Sequence, residues 1–191
     1  MWKSLILLTI TVCALAACAS TVSVESKKDQ DYTKVLDRLY LVVDTGESNL
    51  SDGTISSSHI LGDYLADSMQ KKLAAAGIET KGKRLTGLEL SKDELQNAMK
   101  GFGASVAMLV GLSEGYVNQQ KELVSGVFDF TIVDAELGRT VWRAKAKFDA
   151  PKAMAGNYIG SISSDDVDKI IADTITAMRS DGLIFRAIDN K

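Results

Sequence analysis

The sequence predicts an α/β (α+β) fold: a single mixed sheet of about five strands in the order β-α-β-α-β-β-β-α, with helices mainly on one face. Three observations lead there. Helix-period segments separate the early apolar runs, which implies parallel strands joined by right-handed crossovers. Two later segments alternate apolar and polar residues with period two across a glycine-containing turn, which is the pattern of a hairpin with one wet face. A last amphipathic segment closes the chain and supplies a helix to pack on the sheet.

Leu36 to Asp44, with Leu39, Tyr40, Leu41, Val42 and Val43 in succession, reads as a buried strand. Thr45 to Ser58 is rich in Gly, Ser, Asn and Asp and reads as a loop. Ile60, Leu61, Tyr64, Leu65, Met69 and Leu73 then recur at helical spacing up to Gly77, and Ile78 to Arg84 reads as a second strand. Ser91 and Glu94 form a capping-box pattern that opens a short helix carrying Leu95, Ala98, Met99 and Phe102, stopped at Gly101 or Gly103. Ala104 to Leu112 is nearly all apolar, so both its faces are expected to be covered.

In Leu123 to Asp134, Val124, Phe128, Phe130 and Ile132 alternate with Ser125, Asp129 and Thr131. The turn Ala135-Glu136-Leu137-Gly138 leads to Thr140 to Asp149, where Trp142, Ala144, Ala146 and Phe148 alternate with Arg143, Lys145 and Lys147. After a loop around Pro151 and Gly156, Ser164 is expected to cap a helix whose apolar face is Val167, Ile170, Ile171, Ile175 and Met178.

The amino terminus has the parts of a secretory signal: Lys3, an apolar core from Leu5 to Leu15, and small residues ahead of a cysteine. Leu15-Ala16-Ala17-Cys18 resembles the lipobox of bacterial lipoproteins. That resemblance implies cleavage before Cys18 and lipid attachment on Cys18. Residues 1–17 are then a signal peptide and 18–34 a lipidated cysteine with a flexible tether reaching at most ~55 Å when extended. Residues 35–191 are expected to form one periplasmic domain. Ala19 in place of the aspartate that commonly retains such proteins favours the outer membrane over the inner.

On this reading Cys13 leaves with the signal and Cys18 is acylated, so no thiol remains for a disulfide and a hydrophobic core must carry stability. Loss of Lys3 takes the formal charge from -3 to -4. A mildly acidic chain has no footprint for nucleic acid, and lipid rather than charge must hold it to a membrane.

The element order, together with the strand Ala104-Ser105-Val106-Ala107-Met108-Leu109-Val110-Gly111 and the hairpin segment Val133 to Ala144, resembles a group of small envelope lipoproteins. These share the fold of the curli-secretion lipoprotein, the penicillin-binding-protein activator lipoproteins and the amino-terminal domain of the Tol-system protein. The resemblance implies an α/β fold for the mature domain. Extra apolar hairpins of a secretion channel are not found here, and fold kinship of this kind does not transfer function.

No catalytic residue, metal ligand set or cofactor site is expected. The only histidine, His59, adjoins Ser56, Ser57 and Ser58 where a helix starts, and capping accounts for those serines. Asp165, Asp166 and Asp168 crowd a helix start, which attracts acids through its dipole. Gly101-Phe102-Gly103 lies after a helix and before a strand, the wrong order for a phosphate cradle.

The polar side of the hairpin is the candidate partner-binding surface: Arg143, Lys145 and Lys147 on one strand, with Asp129 on its neighbour. The competing reading is a solvated face with cross-strand ion pairs worth at most ~1 kcal/mol each. The expected function is that of a non-enzymatic, lipid-anchored accessory protein that binds an envelope protein or polymer. Alternatives are a homo-oligomeric component of a secretion or envelope-assembly machine, and an enzyme using carboxylates alone.

Overall fold

The structure, a computed structural model, describes residues 19–45, 55–85, 91–153 and 156–185, with side chains in the first helix from Leu61 onward. In chain order these contain β1 (Thr21–Lys28), β2 (Arg38–Asp44), α1 (Ile55–Ala75), β3 (Glu79–Arg84), α2 (Lys92–Phe102), β4 (Val106–Val117), β5 (Leu123–Asp134), β6 (Arg139–Asp149) and α3 (Ser164–Ser180). One six-stranded sheet runs β1-β6-β5-β4-β2-β3. The β2–β3 and β2–β4 pairs are parallel and the others antiparallel. The mixed sheet is as expected, with six strands in place of about five.

The crossover rule explains where the helices go. From β2 the chain steps outward to β3 through α1, then back past β2 to β4 through α2. Two right-handed crossovers in opposite directions place their helices on opposite faces. Accordingly α1 sends Leu65, Met69 and Leu73 into the main core, while α2 builds a smaller one in which Met99 and Phe102 pack around Tyr40, Val42 and Ala107. The final helix α3 joins α1 on the main side, burying Val167, Ile170, Ile171, Ile175 and Met178.

Local signals act largely as expected. Ser91 accepts from the Glu94 amide while the Glu94 side chain accepts from the Ser91 amide, and Gly103 ends α2 at φ 74°. The cap of α3 is Ser163 rather than Ser164, with Asp166 as its reciprocal partner. The first helix begins at Ile55, so the backbone is already helical at Ser56, Ser57 and Ser58, where composition alone predicts a loop. Tyr64, which its spacing assigns to the apolar face, is 37% exposed.

The largest correction concerns the tether. Residues 18–34 were expected to be flexible, yet Thr21–Lys28 forms β1, paired antiparallel with β6 from Thr21↔Asp149 to Lys28↔Trp142. Val22 and Val24 face the main core, while Ser23, Glu25 and Lys27 stand opposite Lys147, Lys145 and Arg143. The physical reason is the short alternation Thr21-Val22-Ser23-Val24, with β-branched residues suited to a half-buried edge.

Side-chain ties then lock β1 to α3. The Ser20 hydroxyl donates to Asp166, and Ser26 donates to Asp181, which also accepts from the Trp142 indole at 2.7 Å.

The segment after β1 is equally well packed. Tyr32 and Leu36 are core residues. Arg139 pairs with Asp29 at 2.5 Å, and Lys34 bridges Asp134 and Glu136 at 3.1 and 2.8 Å. Asp134 is fully buried and also accepts from the Glu136 and Leu137 amides, which shapes the β5–β6 turn. Burial works against its charge, but the Leu137 amide and the Lys34 ammonium outweigh it and hold the carboxyl below its ordinary range. Burial, with the Asp134 charge adding to it, pushes the Tyr32 phenol up to about 12.

Candidate functional site

Helices cover the main side of the sheet but only part of the other. The small core under α2 occupies the β2 end and the start of β4, and among the described residues no helix covers β5, β6, β1 or the rest of β4 on that side. Arg143, Lys145 and Lys147 are exposed on β6 and project onto this open face, with Asp129 and Thr131 beside them on β5. The structure therefore brings the four candidate residues together. Lys145 stands opposite Asp129, at 3.8 Å between charged atoms, and both are solvent-accessible, so this pair adds at most ~1 kcal/mol.

Because β1 flanks β6, the lysines are not protecting a sheet edge. They lie inside a charged surface that β1 extends. One row crosses five strands as Glu25, Lys145, Asp129, Gly111 and Asp44. The adjacent row runs Lys27, Arg143, Thr131, Leu109 and Val42. In the first row Glu25, Lys145 and Asp129 alternate in sign, and a second acid, Asp44, stands beyond Gly111. In the second, Lys27 and Arg143 are directly opposite across the ladder, a like-charge pairing that costs free energy.

Glycine at 111 opens a hollow in the first row. A space of about 280 Å³ lies there, lined by Asp44, Leu109, Gly111, Ser113, Asp129 and Thr131. A Cβ at position 111 would sit 3.3 Å from the Asp44 carbonyl, so even alanine would press on β2. Leu109, expected to be covered on both sides of its strand, is 36% exposed at the wall of this hollow. The reason is that α2 ends at Phe102 and does not extend over the β4–β5 half of the face.

Sequence reasoning misses Glu25 and Lys27, because their segment has the composition of a tether, and Asp44, because no periodicity links it to Asp129. The alternation at Thr21 to Val24 is the signal for the first two. The acids near the start of α3 are structural: Asp166 completes the cap, and Asp168 accepts from Ser68 at 2.5 Å with Lys72 at 3.7 Å. No group of three or more His, Cys, Asp or Glu suited to a metal occurs among the described residues. Cys18, the expected lipid site, lies outside them, as does the side chain of His59.

No protein-family model matches the chain, and no curated protein does either. Solved structures do. The PelC dodecamer from Paraburkholderia phytofirmans aligns over 87% of this chain and all of its own, at 13% identity and a TM-score of 0.50. The lipoprotein GNA1162 from Neisseria meningitidis aligns over 75% of this chain and 98% of its own, at 10% identity and a TM-score of 0.41. A neuraminyllactose-binding hemagglutinin homolog from Helicobacter pylori aligns over 81% and 87%, at 10% identity and a TM-score of 0.34. The chain shares the fold of PelC. No helix among the described residues is long and apolar enough to cross a membrane.

Proposed function

We propose that this chain is a lipid-anchored protein of the bacterial envelope, held in the outer membrane through Cys18, that works by binding rather than by catalysis. Its binding surface is the open half of the sheet, and its partner is a protein presenting an acidic segment. The observation that carries this reading is the Lys27–Arg143 opposition, continued by Lys147 on β6. A fold gains nothing from aligning like charges across a ladder, whereas an arriving carboxylate relieves their repulsion and is held by charge-assisted hydrogen bonds. The hollow at Gly111 gives the same partner a place to seat a side chain between Asp44 and Asp129.

The test is site-specific photocrosslinking in cells from Thr131, with and without the triple substitution of Arg143, Lys145 and Lys147 by serine. The expected result is one crosslinked protein, lost in the triple variant while crosslinks from the exposed side of α1 persist. Crosslinks indifferent to the substitution would overturn the reading, and capture of a polymer instead of a protein would replace the partner class. Cys18→Ser is expected to release the protein from the membrane fraction.

A second reading, homo-oligomerisation, is favoured by two observations. The PelC protein that shares this fold is a dodecamer. Here β1 and β3 each end the sheet with an open edge among the described residues, and open edges are templates for pairing with another chain. Sizing of the protein without its lipid separates the readings, since a ring elutes as a large assembly and the binding protein as a single chain.

A further inference from the structure

Pairing of the amino-terminal segment with β6 changes where the membrane must be. With β1 starting at Thr21, only Ala19 and Ser20 separate Cys18 from the sheet, a reach of at most about 11 Å from Cys18 to Thr21. Ser20 is itself tied to Asp166 at the start of α3. A lipid on Cys18 therefore brings one particular end of the domain against the bilayer, with no freedom to tumble on a long leash.

The ladder identifies what else stands at that end. Thr21 is opposite Asp149, Asp149 is opposite Ser125, and Ser125 is opposite Tyr116, with Val117 opposite Leu123 one step on. Three strand spacings, about 15 Å, separate Tyr116 from the start of β1. The loop after β6 returns to the same end: the Ile159 amide donates to Pro151, and the Ile162 amide donates to Leu123. Tyr116 is 65% exposed, Ile159 58% and Val117 41%, so three large exposed side chains lie at the end of the sheet where β1 begins.

We infer that Tyr116, Val117 and Ile159 form a membrane-contacting tip, seated in the headgroup region of the lipid surface that holds Cys18. Aromatic rings with a polar end settle at that depth, and apolar side chains gain by leaving water there. Charge does not drive the contact: Lys152 is paired with Asp149 at 3.4 Å, and Lys121 is followed by the exposed Glu122. Contact is consequently independent of the surface charge of the bilayer. With the tip down, the strands stand up from the membrane and the β5–β6 turn at Leu137 points away from it. The open sheet face then rises beside the membrane, accessible to partners within the envelope.

This inference rests on acylation of Cys18, so the experiment reads acylation separately. The membrane-extracted protein carries a single added thiol, as Tyr116→Cys, Ile159→Cys or Leu137→Cys, labelled with an environment-sensitive fluorophore. It is reconstituted in phosphatidylcholine vesicles, with or without phosphatidylglycerol, containing lipid-attached quenchers near the headgroup. Mass spectrometry of the same samples reports the lipid on Cys18. The expected result is loss of most emission at positions 116 and 159 and little loss at 137, equal in both vesicle types. Acylated protein with equal emission at all three positions overturns the tip alone. Protein recovered without lipid on Cys18 overturns the anchoring reading and the tip with it.

Discussion

The two faces of the sheet divide the work of the molecule. Under α1 and α3 the face is continuous hydrocarbon and aromatic surface, with Phe128, Phe130, Trp142 and Phe148 all under 2% exposed. On the opposite side the same strands β5 and β6 present Asp129, Thr131, Arg143, Lys145 and Lys147 to solvent. Alternation along a strand assigns successive residues to opposite environments, so neighbours in sequence such as Trp142 and Arg143 lie on different faces, one buried and one exposed. The covered face supplies folding free energy. The open face, whose polar side chains remain in contact with water, is expected to contribute little to stability.

The sharpest way to break that division is a pair of substitutions on adjacent strands. Trp142→Ala removes a buried indole and its hydrogen bond to Asp181 and is expected to cost about 3–5 kcal/mol. Thr131→Ala, on the open face opposite Arg143, is expected to stay within ~0.5 kcal/mol of the parent. Denaturant titration of the two variants checks both figures. Comparable losses would mean that the open face is covered in the native state.

Asp134 tests the boundary between the faces, where the β5–β6 turn meets the segment after β1. Asp134→Asn keeps an acceptor for the Glu136 and Leu137 amides but loses the attraction of Lys34, an expected cost of roughly 1–3 kcal/mol. The pH dependence has a definite sign. The Asp134, Asp149, Asp166 and Asp168 carboxyls are all held below the ordinary value of 3.8 in the folded chain. The unfolded chain therefore binds more protons in that range, and stability rises with pH there. Their contribution is complete above the ordinary carboxylate range and is lost as pH falls through the folded values. Unfolding midpoints measured from neutral pH down through 3.8 are expected to drop, with a shallower acid limb in Asp134→Asn.

The same division explains what the sequence reveals. Elements that bury a whole stripe announce themselves: the β5–β6 hairpin and the apolar face of α3 are read from spacing because every second or every third-and-fourth residue must be apolar. The edge strand β1 is harder to see. It buries only Val22 and Val24 against the core, and its other positions are Thr, Ser, Glu and Lys, the composition of a solvated linker.

Four candidate residues of the open face are legible because they share one hairpin. Glu25, Lys27, Gly111 and Asp44 join them only through pairing between distant segments, which periodicity within a segment does not encode. The exposure of Leu109 has a similar origin, since it depends on where α2 stops and not on its own strand.

The smallest expected effect bears most directly on the open face. Lys27→Glu replaces the like-charge opposition to Arg143 with a cross-strand ion pair and is expected to stabilise the fold by about 0.2–1 kcal/mol. If that surface receives an acidic segment, the same change removes one cation, occupies Arg143 internally, and weakens crosslinking from Thr131. Stability and binding then move in opposite directions in a single variant, which no general damage to the fold produces. A variant that gains stability with undiminished crosslinking places the partner elsewhere. One that gains none means the two side chains already splay apart into solvent, and the repulsion offered as the mark of a binding surface is not felt.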